Sequence, residues 1–385
     1  MLHCQREKFQ LQKKYAYLNC AYMAPLSRKV ENAGKKGMAR KRKPYKIGAE
    51  DFFKDSETLR LLFSQLIEND QPNRVVTAPS VSYAMANVVK NLEGKAGEIL
   101  VTDKQFPSNV YPWLAARSEK IKVRFIERPE GIQAGKKWNQ HLLEAINENT
   151  LLVALGNVHW ADGTLFDLLS IRQKTREHDA LLVIDGTQSV GALPISIREV
   201  DPDVLVCAGY KWLFGPYSMA LAYYGERFDQ GSPIEENWIN REGAQNFGGL
   251  VQYTDQYEPG ALRYEVGEHS NFILLPMMIT ALKQVLNWGP ANIQSYCQTL
   301  MGPLIDRATA LGFGIEDPRH RAHHLVGLSL PSELSLEQLQ KILHHNRVSV
   351  SVRGTSVRIS PNVYNDERDV KRLIKSLEQA VEKSK

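Results

Sequence analysis

The chain has 385 residues, 43% hydrophobic and 24% charged, and 48 basic against 43 acidic side chains give a formal net charge of +5. That length exceeds what one core usually supports, so two domains are expected of an otherwise ordinary globular composition. No stretch approaches the roughly 20 apolar residues of a membrane span, and the polar start Met1–Lys8 lacks the apolar core of a secretory signal.

Residues 1–70 read as helix-rich, an arm expected to pack with the C-terminal part. They carry a basic run (Lys35, Lys36, Arg40, Lys41, Arg42, Lys43). We read it as the solvated face of a helix rather than a nucleic-acid surface. Between residues 71 and 250, short apolar runs recur at 98–103, 122–127, 151–158, 181–185, 204–208 and 219–224. They are rich in Val, Ile and Leu with little polar alternation, which suits strands buried on both faces of a mostly parallel sheet. Helical segments at 80–92, 139–148 and 168–178 alternate with them and predict an α/β domain. From 251 to 385, helices at 272–286, 293–311, 336–346 and 367–382 flank strands at 324–330, 348–352 and 357–359. That pattern predicts a smaller α+β domain. The four cysteines (Cys4, Cys20, Cys207, Cys297) are scattered without metal spacing, as expected of a cytoplasmic protein.

In open α/β sheets, ligands bind beyond the carboxyl ends of strands. The run at 181–185 ends in Asp185, followed by Gly186-Thr187-Gln188-Ser189-Val190-Gly191. Alone, a strand-end Asp is more often a helix cap or turn residue. The next buried run, however, delivers Gly209-Tyr210-Lys211-Trp212. An isolated strand-end Lys is usually a surface residue, whereas this pairing is uncommon by chance. Pyridoxal 5′-phosphate (PLP) chemistry needs both groups. A lysine forms a Schiff base and moves the α-proton, and a carboxylate keeps the pyridine nitrogen protonated.

The Asp-x-x-Gln-Ser-x-Gly run, followed by a strand and Gly-Tyr-Lys, resembles the signature of class V, fold-type I PLP-dependent enzymes. These include kynureninases, cysteine desulfurases and isopenicillin N epimerase-like proteins. The resemblance runs from Tyr17-Leu18-Asn19 to the segment 357–365. It implies PLP as cofactor, a mostly parallel seven-stranded sheet in the large domain, an amino acid substrate, and a homodimer with shared active sites.

Residue by residue, the resemblance makes Lys211 the catalytic lysine and puts Asp185 on the pyridine nitrogen. It puts Gln188 on the phenolic oxygen and Tyr210 on the phosphate. Pro79-Ser80-Val81-Ser82 matches the phosphate-binding loop, with Val81 and Ser82 as donors. Small residues opening a helix also suit an anion physically, although a plain Ser N-cap is the bland reading. Phe106, in Gln105-Phe106-Pro107-Ser108-Asn109, is implied to stack on the ring, the alternative being a core Phe. Arg358 matches the arginine that clamps the substrate carboxylate; Arg353 either assists it, reads a side chain or forms a surface ion pair. Trp238 and Ser270 are implied to reach the neighbouring subunit's cofactor.

His320, His323 and His324 cluster without an acidic or Cys ligand at helical spacing, so no metal site is expected. His159 and Trp160 either line the substrate pocket or fill space beside the sheet. No cysteine lies between His344 and Arg358, which argues against a persulfide-transferring desulfurase. The expected activity is a class V aminotransferase. The alternatives are an epimerase or a C–S or β-lyase (selenocysteine lyase-like, or desulfurase-like without a persulfide cysteine). A non-catalytic binding protein of the same fold is the alternative from another class.

Overall fold

A computed structural model describes residues 2–131 and 134–384. The chain enters through strand β1 (Ala16–Tyr17) and helices α1 (Arg28–Arg40) and α2 (Lys54–Leu66). The central region follows as β2 (Val75–Ala78), α3 (Val81–Lys90), β3 (Gly97–Thr102), α4 (Tyr111–Ala115), β4 (Ile121–Ile126), α5 (Gly135–Ala145), β5 (Thr150–Leu155), α6 (Leu168–Glu177), β6 (Leu181–Asp185), α7 (Ile197–Val200), β7 (Val204–Ala208) and β8 (Ala220–Tyr224). The chain ends in α8 (Leu274–Trp288), α9 (Pro290–Ala310), β9 (Val326–Ser329), α10 (Leu336–His345), β10 (Val348–Ser349), β11 (Ser351–Arg353), β12 (Ser356–Ile359) and α11 (Glu367–Glu382).

The expected seven-stranded sheet is present, in the order β2-β8-β7-β6-β5-β3-β4. Only β8 runs against its neighbours. Side chains alternate across it as a pleated strand requires. Leu182, Ile184 and Leu205 enter one apolar layer with α5, α6 and α8, while Val183, Val204 and Val206 enter the opposite layer with α3. The edge strand β4 instead exposes Lys122 and Arg124, charges that discourage pairing with another chain.

Three local departures from the sequence reading have physical causes. β2 is absent from the apolar runs because it has only four residues before Pro79, and its pairing with β8 makes it a strand. α5 begins at Gly135 rather than 139, since the Gly135 N–H donates to the Glu316 carboxylate at 3.0 Å, a cap supplied from far along the chain. The run expected at 348–352 divides at Val350, with β10 pairing with β1 and β11 with β12. The N-terminal segment divides too: β1 joins β10, whereas α1 and α2 lie against α8. Among the described residues, no helix is long and apolar enough to cross a membrane.

Candidate active site

The parallel strands send their C-terminal loops to one edge of the sheet. There the residues after β2, β3, β6 and β7 and those entering β8 enclose a cavity of about 340 Å³. Asp185, the last residue of β6, is 7% exposed, and its carboxylate accepts the Thr187 N–H at 3.0 Å. Burial pushes this carboxyl up, opposed by the Thr187 bonds and by Lys211. Lys211 is 5% exposed, and its amine has no hydrogen bond or ion pair among the described residues. Burial pulls its pKa down to about 8; Asp185 opposes the shift, while Arg358 and Arg353 add to it. Its nitrogen stands 5.3 Å from the centre of the Phe106 ring and 5.6 Å from that of Tyr210.

The loop carrying Lys211 is tightly determined. The Gly209 N–H donates to the Met219 carbonyl and the Gly215 N–H to the Gly209 carbonyl, both at 2.8 Å. Phe214 and Ser218 take left-handed backbone angles (φ 56° and 61°), uncommon for residues with a side chain. Gly191, at the end of the Asp185 run, has φ +97°, and a Cβ there would lie 2.7 Å from the Trp212 carbonyl oxygen. That glycine therefore lets the two motif loops close on each other.

At the mouth of α3, Ser80 caps the helix by accepting the Tyr83 N–H at 3.2 Å, and its hydroxyl lies 3.1 Å from that of Ser82. The first N–H groups of a helix have no intrahelical partner and favour an anion. Ser80 and Val81 line the cavity; Ser82 is not among its lining residues. Tyr210 lines it and packs against Tyr217 with ring centres 4.5 Å apart. Burial raises the Tyr210 hydroxyl to about 12, helped by Tyr217 and Asp185.

Gln188 is placed differently. Its amide nitrogen donates to the Ala21 carbonyl at 3.2 Å, its oxygen accepts the Trp212 indole N–H at 2.9 Å, and it does not line the cavity. It ties the N-terminal segment to the lysine loop. Asn109 is likewise buried, accepting the Trp113 indole N–H at 3.0 Å.

Arg358 is 1% exposed and donates through Nη1 to the Trp160 carbonyl at 2.7 Å, while its Nε and Nη2 have no partner among the described residues. Burial, with Arg353 next, pulls it down to about 9. The Trp160 ring meets Phe106 edge-on at 5.3 Å, linking the arginine to the lysine cavity. His159 faces elsewhere, with Nδ1 3.1 Å from Asp162 and Nε2 3.2 Å from the Lys104 carbonyl oxygen. Burial raises the Asp162 carboxyl, but His159, the Thr164 N–H and Arg128 outweigh it and hold the group well below the usual range.

Trp238 and Ser270 do not line this cavity. Trp238 packs with Phe52, Phe53 and Phe247, and Ser270 follows His269, whose ring bonds the Ser56 hydroxyl at 2.6 Å. His324 is buried between Gln294 and the Gln188 carbonyl. Among the described residues, no group of three or more His, Cys, Asp or Glu side chains is placed to hold a metal.

The sequence reading missed Thr187, Ser108, Tyr217 and Ser218 as cavity residues. Thr187 sits inside the Asp185 run and Ser108 inside the Phe106 run, so a motif could have revealed both. Tyr217 and Ser218 arrive only because the lysine loop folds back. The cavity's groups fit the expected cofactor: a buried unpaired amine for its aldehyde, a buried carboxylate for its ring nitrogen, open helix N–H groups for its phosphate and the Phe106 ring for its face.

A family model described as aminotransferase class-V matches residues 39–373. An uncharacterized aminotransferase of Bacillus subtilis is 24% identical over 322 residues, covering 83% of this chain and 82% of that relative. A kynureninase of Geobacillus thermodenitrificans is 23% identical over 329 residues, 82% of this chain and 75% of the relative. Among solved structures, the apo cysteine desulfurase of Thermococcus onnurineus NA1 shares the fold, with a TM-score of 0.83 at 18% identity over 100% of this chain and 99% of its own.

Proposed function

The chain belongs to the aminotransferase class-V family of PLP-dependent enzymes, and we propose that within it the chain is an amino-acid aminotransferase whose Lys211 carries the cofactor. The observation behind this reading is the Lys211 amine: buried, unpaired, lowered to about 8 and facing Phe106 in one cavity with Asp185. Family membership makes the chain a catalytic PLP enzyme rather than a non-catalytic binder of the same fold.

Bound PLP supplies an electron sink for the charge left when an amino acid loses its α-proton. In our reading, Asp185 holds a proton at the ring nitrogen. Ser80, Val81 and Ser82 at the start of α3, with Tyr210, bind the phosphate. Phe106 covers the ring face and excludes water. Gln188 acts indirectly, by fixing Trp212 beside the lysine. Arg358 receives the α-carboxylate through its two unpaired nitrogens. Lys211, once its amine is free, would take the α-proton from the substrate and deliver it to the cofactor's aldehyde carbon, the transfer that leaves the amino group with the cofactor. A neutral amine is the competent form, and a pKa near the working pH suits both halves of that transfer.

We further propose a homodimer in the cytoplasm, with the PLP-binding unit at 71–250, the smaller unit at 251–385 and the arm at 1–70. Trp238 and Ser270 reach the neighbouring site in this arrangement. Support comes from the exposed apolar group Trp238, Phe247, Leu250, Val251 and Tyr253, more than a monomer usually leaves uncovered in one stretch, and from four free cysteines.

The test is the visible spectrum of the purified protein and of Lys211→Ala, before and after borohydride. A yellow protein that bleaches and carries the reduced label on Lys211 supports the reading, and a colourless protein that takes up no PLP ends it. Product analysis then separates the alternatives. Transfer of the amino group to a 2-oxo acid marks an aminotransferase. Inversion at Cα marks an epimerase, and release of sulfide or selenide marks a lyase.

A further inference from the structure

Two arginines stand on one face of the β11–β12 hairpin. Arg358 lies opposite Ser351 and Arg353 opposite Ser356. Directly paired residues share a face, and Arg353 is two places from Ser351, so the guanidinium groups are diagonal neighbours within reach of each other. The connection is the two residues Gly354 and Thr355, and Gly354 (φ +58°) permits the tight reversal. Both guanidiniums approach one ring, that of Trp160, at 5.3 Å for Arg353 and 6.0 Å for Arg358.

Neither arginine has an acidic partner among the described residues. Arg358 keeps Nε and Nη2 unpaired; Arg353 keeps Nε unpaired and donates Nη1 to its neighbour's carbonyl at 2.7 Å. A buried or half-buried pair of like charges without a counter-ion is costly, and both charges act on the Lys211 amine, while the Trp160 ring beneath them meets Phe106 at 5.3 Å.

One α-carboxylate satisfies one guanidinium fork. We propose that the pair selects an amino acid bearing a second acidic group, with Arg358 taking the α-carboxylate and Arg353 the acid of the side chain. The hairpin register fixes the two forks relative to each other, so the separation of the substrate's two acids becomes a criterion for selection. Trp160 supplies the platform on which both forks rest. The inference builds on the assignment of Arg358 to the α-carboxylate and adds the substrate class.

The test uses non-reactive probes on the cofactor-loaded protein: succinate, with two carboxylates, and butyrate, with one, titrated by calorimetry. Succinate is expected to bind at least about tenfold tighter, as an additional charge-assisted pair supplies. In Arg353→Gln the succinate-to-butyrate preference collapses to within about threefold. Arg353→Lys, which keeps the charge and the stem but loses the fork, is expected to show a preference below that of the unmodified protein, a comparison that holds even if the Gln variant folds poorly. Equal binding of the two probes by the unmodified protein, or an undiminished preference in both variants, overturns the proposal. Failure of the PLP reading shows separately, as a protein without a borohydride-reducible band on Lys211.

Discussion

The Lys211 nitrogen lies 5.3 Å from the centre of the Phe106 ring, in surroundings that lower its pKa from 10.5 to about 8. Only the neutral amine attacks an aldehyde, so uptake of PLP by cofactor-free protein should quicken through a midpoint near pH 8. Stopped-flow absorbance across pH 6.5–10 measures it. Because Arg353 contributes to the lowering, Arg353→Gln should move the midpoint upward. A midpoint at the ordinary lysine value would contradict the burial argument.

Arg358→Met should divide stability from function. The arginine is 1% exposed with two nitrogens unpaired, so an apolar side chain of similar volume should raise stability by about 1–3 kcal/mol. The same change should lower kcat/KM roughly a hundredfold or more by removing the carboxylate fork. Calorimetric melting and steady-state kinetics read the two effects, and a variant that loses both stability and activity would show that the charge is structural.

Gly191→Ala tests the closure of the two motif loops. A Cβ at φ +97° and 2.7 Å from the Trp212 carbonyl oxygen should cost about 2–4 kcal/mol. Since Trp212 follows Lys211, cofactor content should fall as well. Denaturant unfolding and the ratio of visible to ultraviolet absorbance check both, and an unchanged midpoint would mean the loop yields freely.

His324 should make stability fall in mild acid. The ring is fully buried, 4.4 Å edge-on to Trp212, and donates Nε2–H to the Gln188 carbonyl at 2.7 Å. Burial lowers its pKa from 6.5 to about 4. Between those values the unfolded chain binds a proton that the folded chain refuses, so stability declines as pH drops from 6.5. The loss reaches about 3 kcal/mol near pH 4. In His324→Gln this part of the decline should vanish, seen as a smaller difference between urea midpoints at pH 7 and pH 4.5.

Much of the sheet is legible from residue order alone. Its strands β6 and β7 are continuous apolar runs because helices cover both faces, and the motif residues Asp185 and Lys211 stand where those runs stop. Less visible are features made by distant partners. β2 is too short to stand out until it pairs with β8, and α5 starts early because Glu316 caps it. Gln188 reads as a ligand of the site, yet its amide bonds Ala21 and Trp212.

Sequence by itself determined the family, the α/β class and the Lys211–Asp185 pair, because each depends on residues near one another in the chain. Tertiary structure decided which side chains share the cavity. It brought Tyr217 and Ser218 back beside Lys211, and it put Arg353 and Arg358 together on Trp160. The first follows from a loop that folds back on itself and the second from hairpin register and a ring 198 positions before Arg358, and neither leaves a periodic pattern to read.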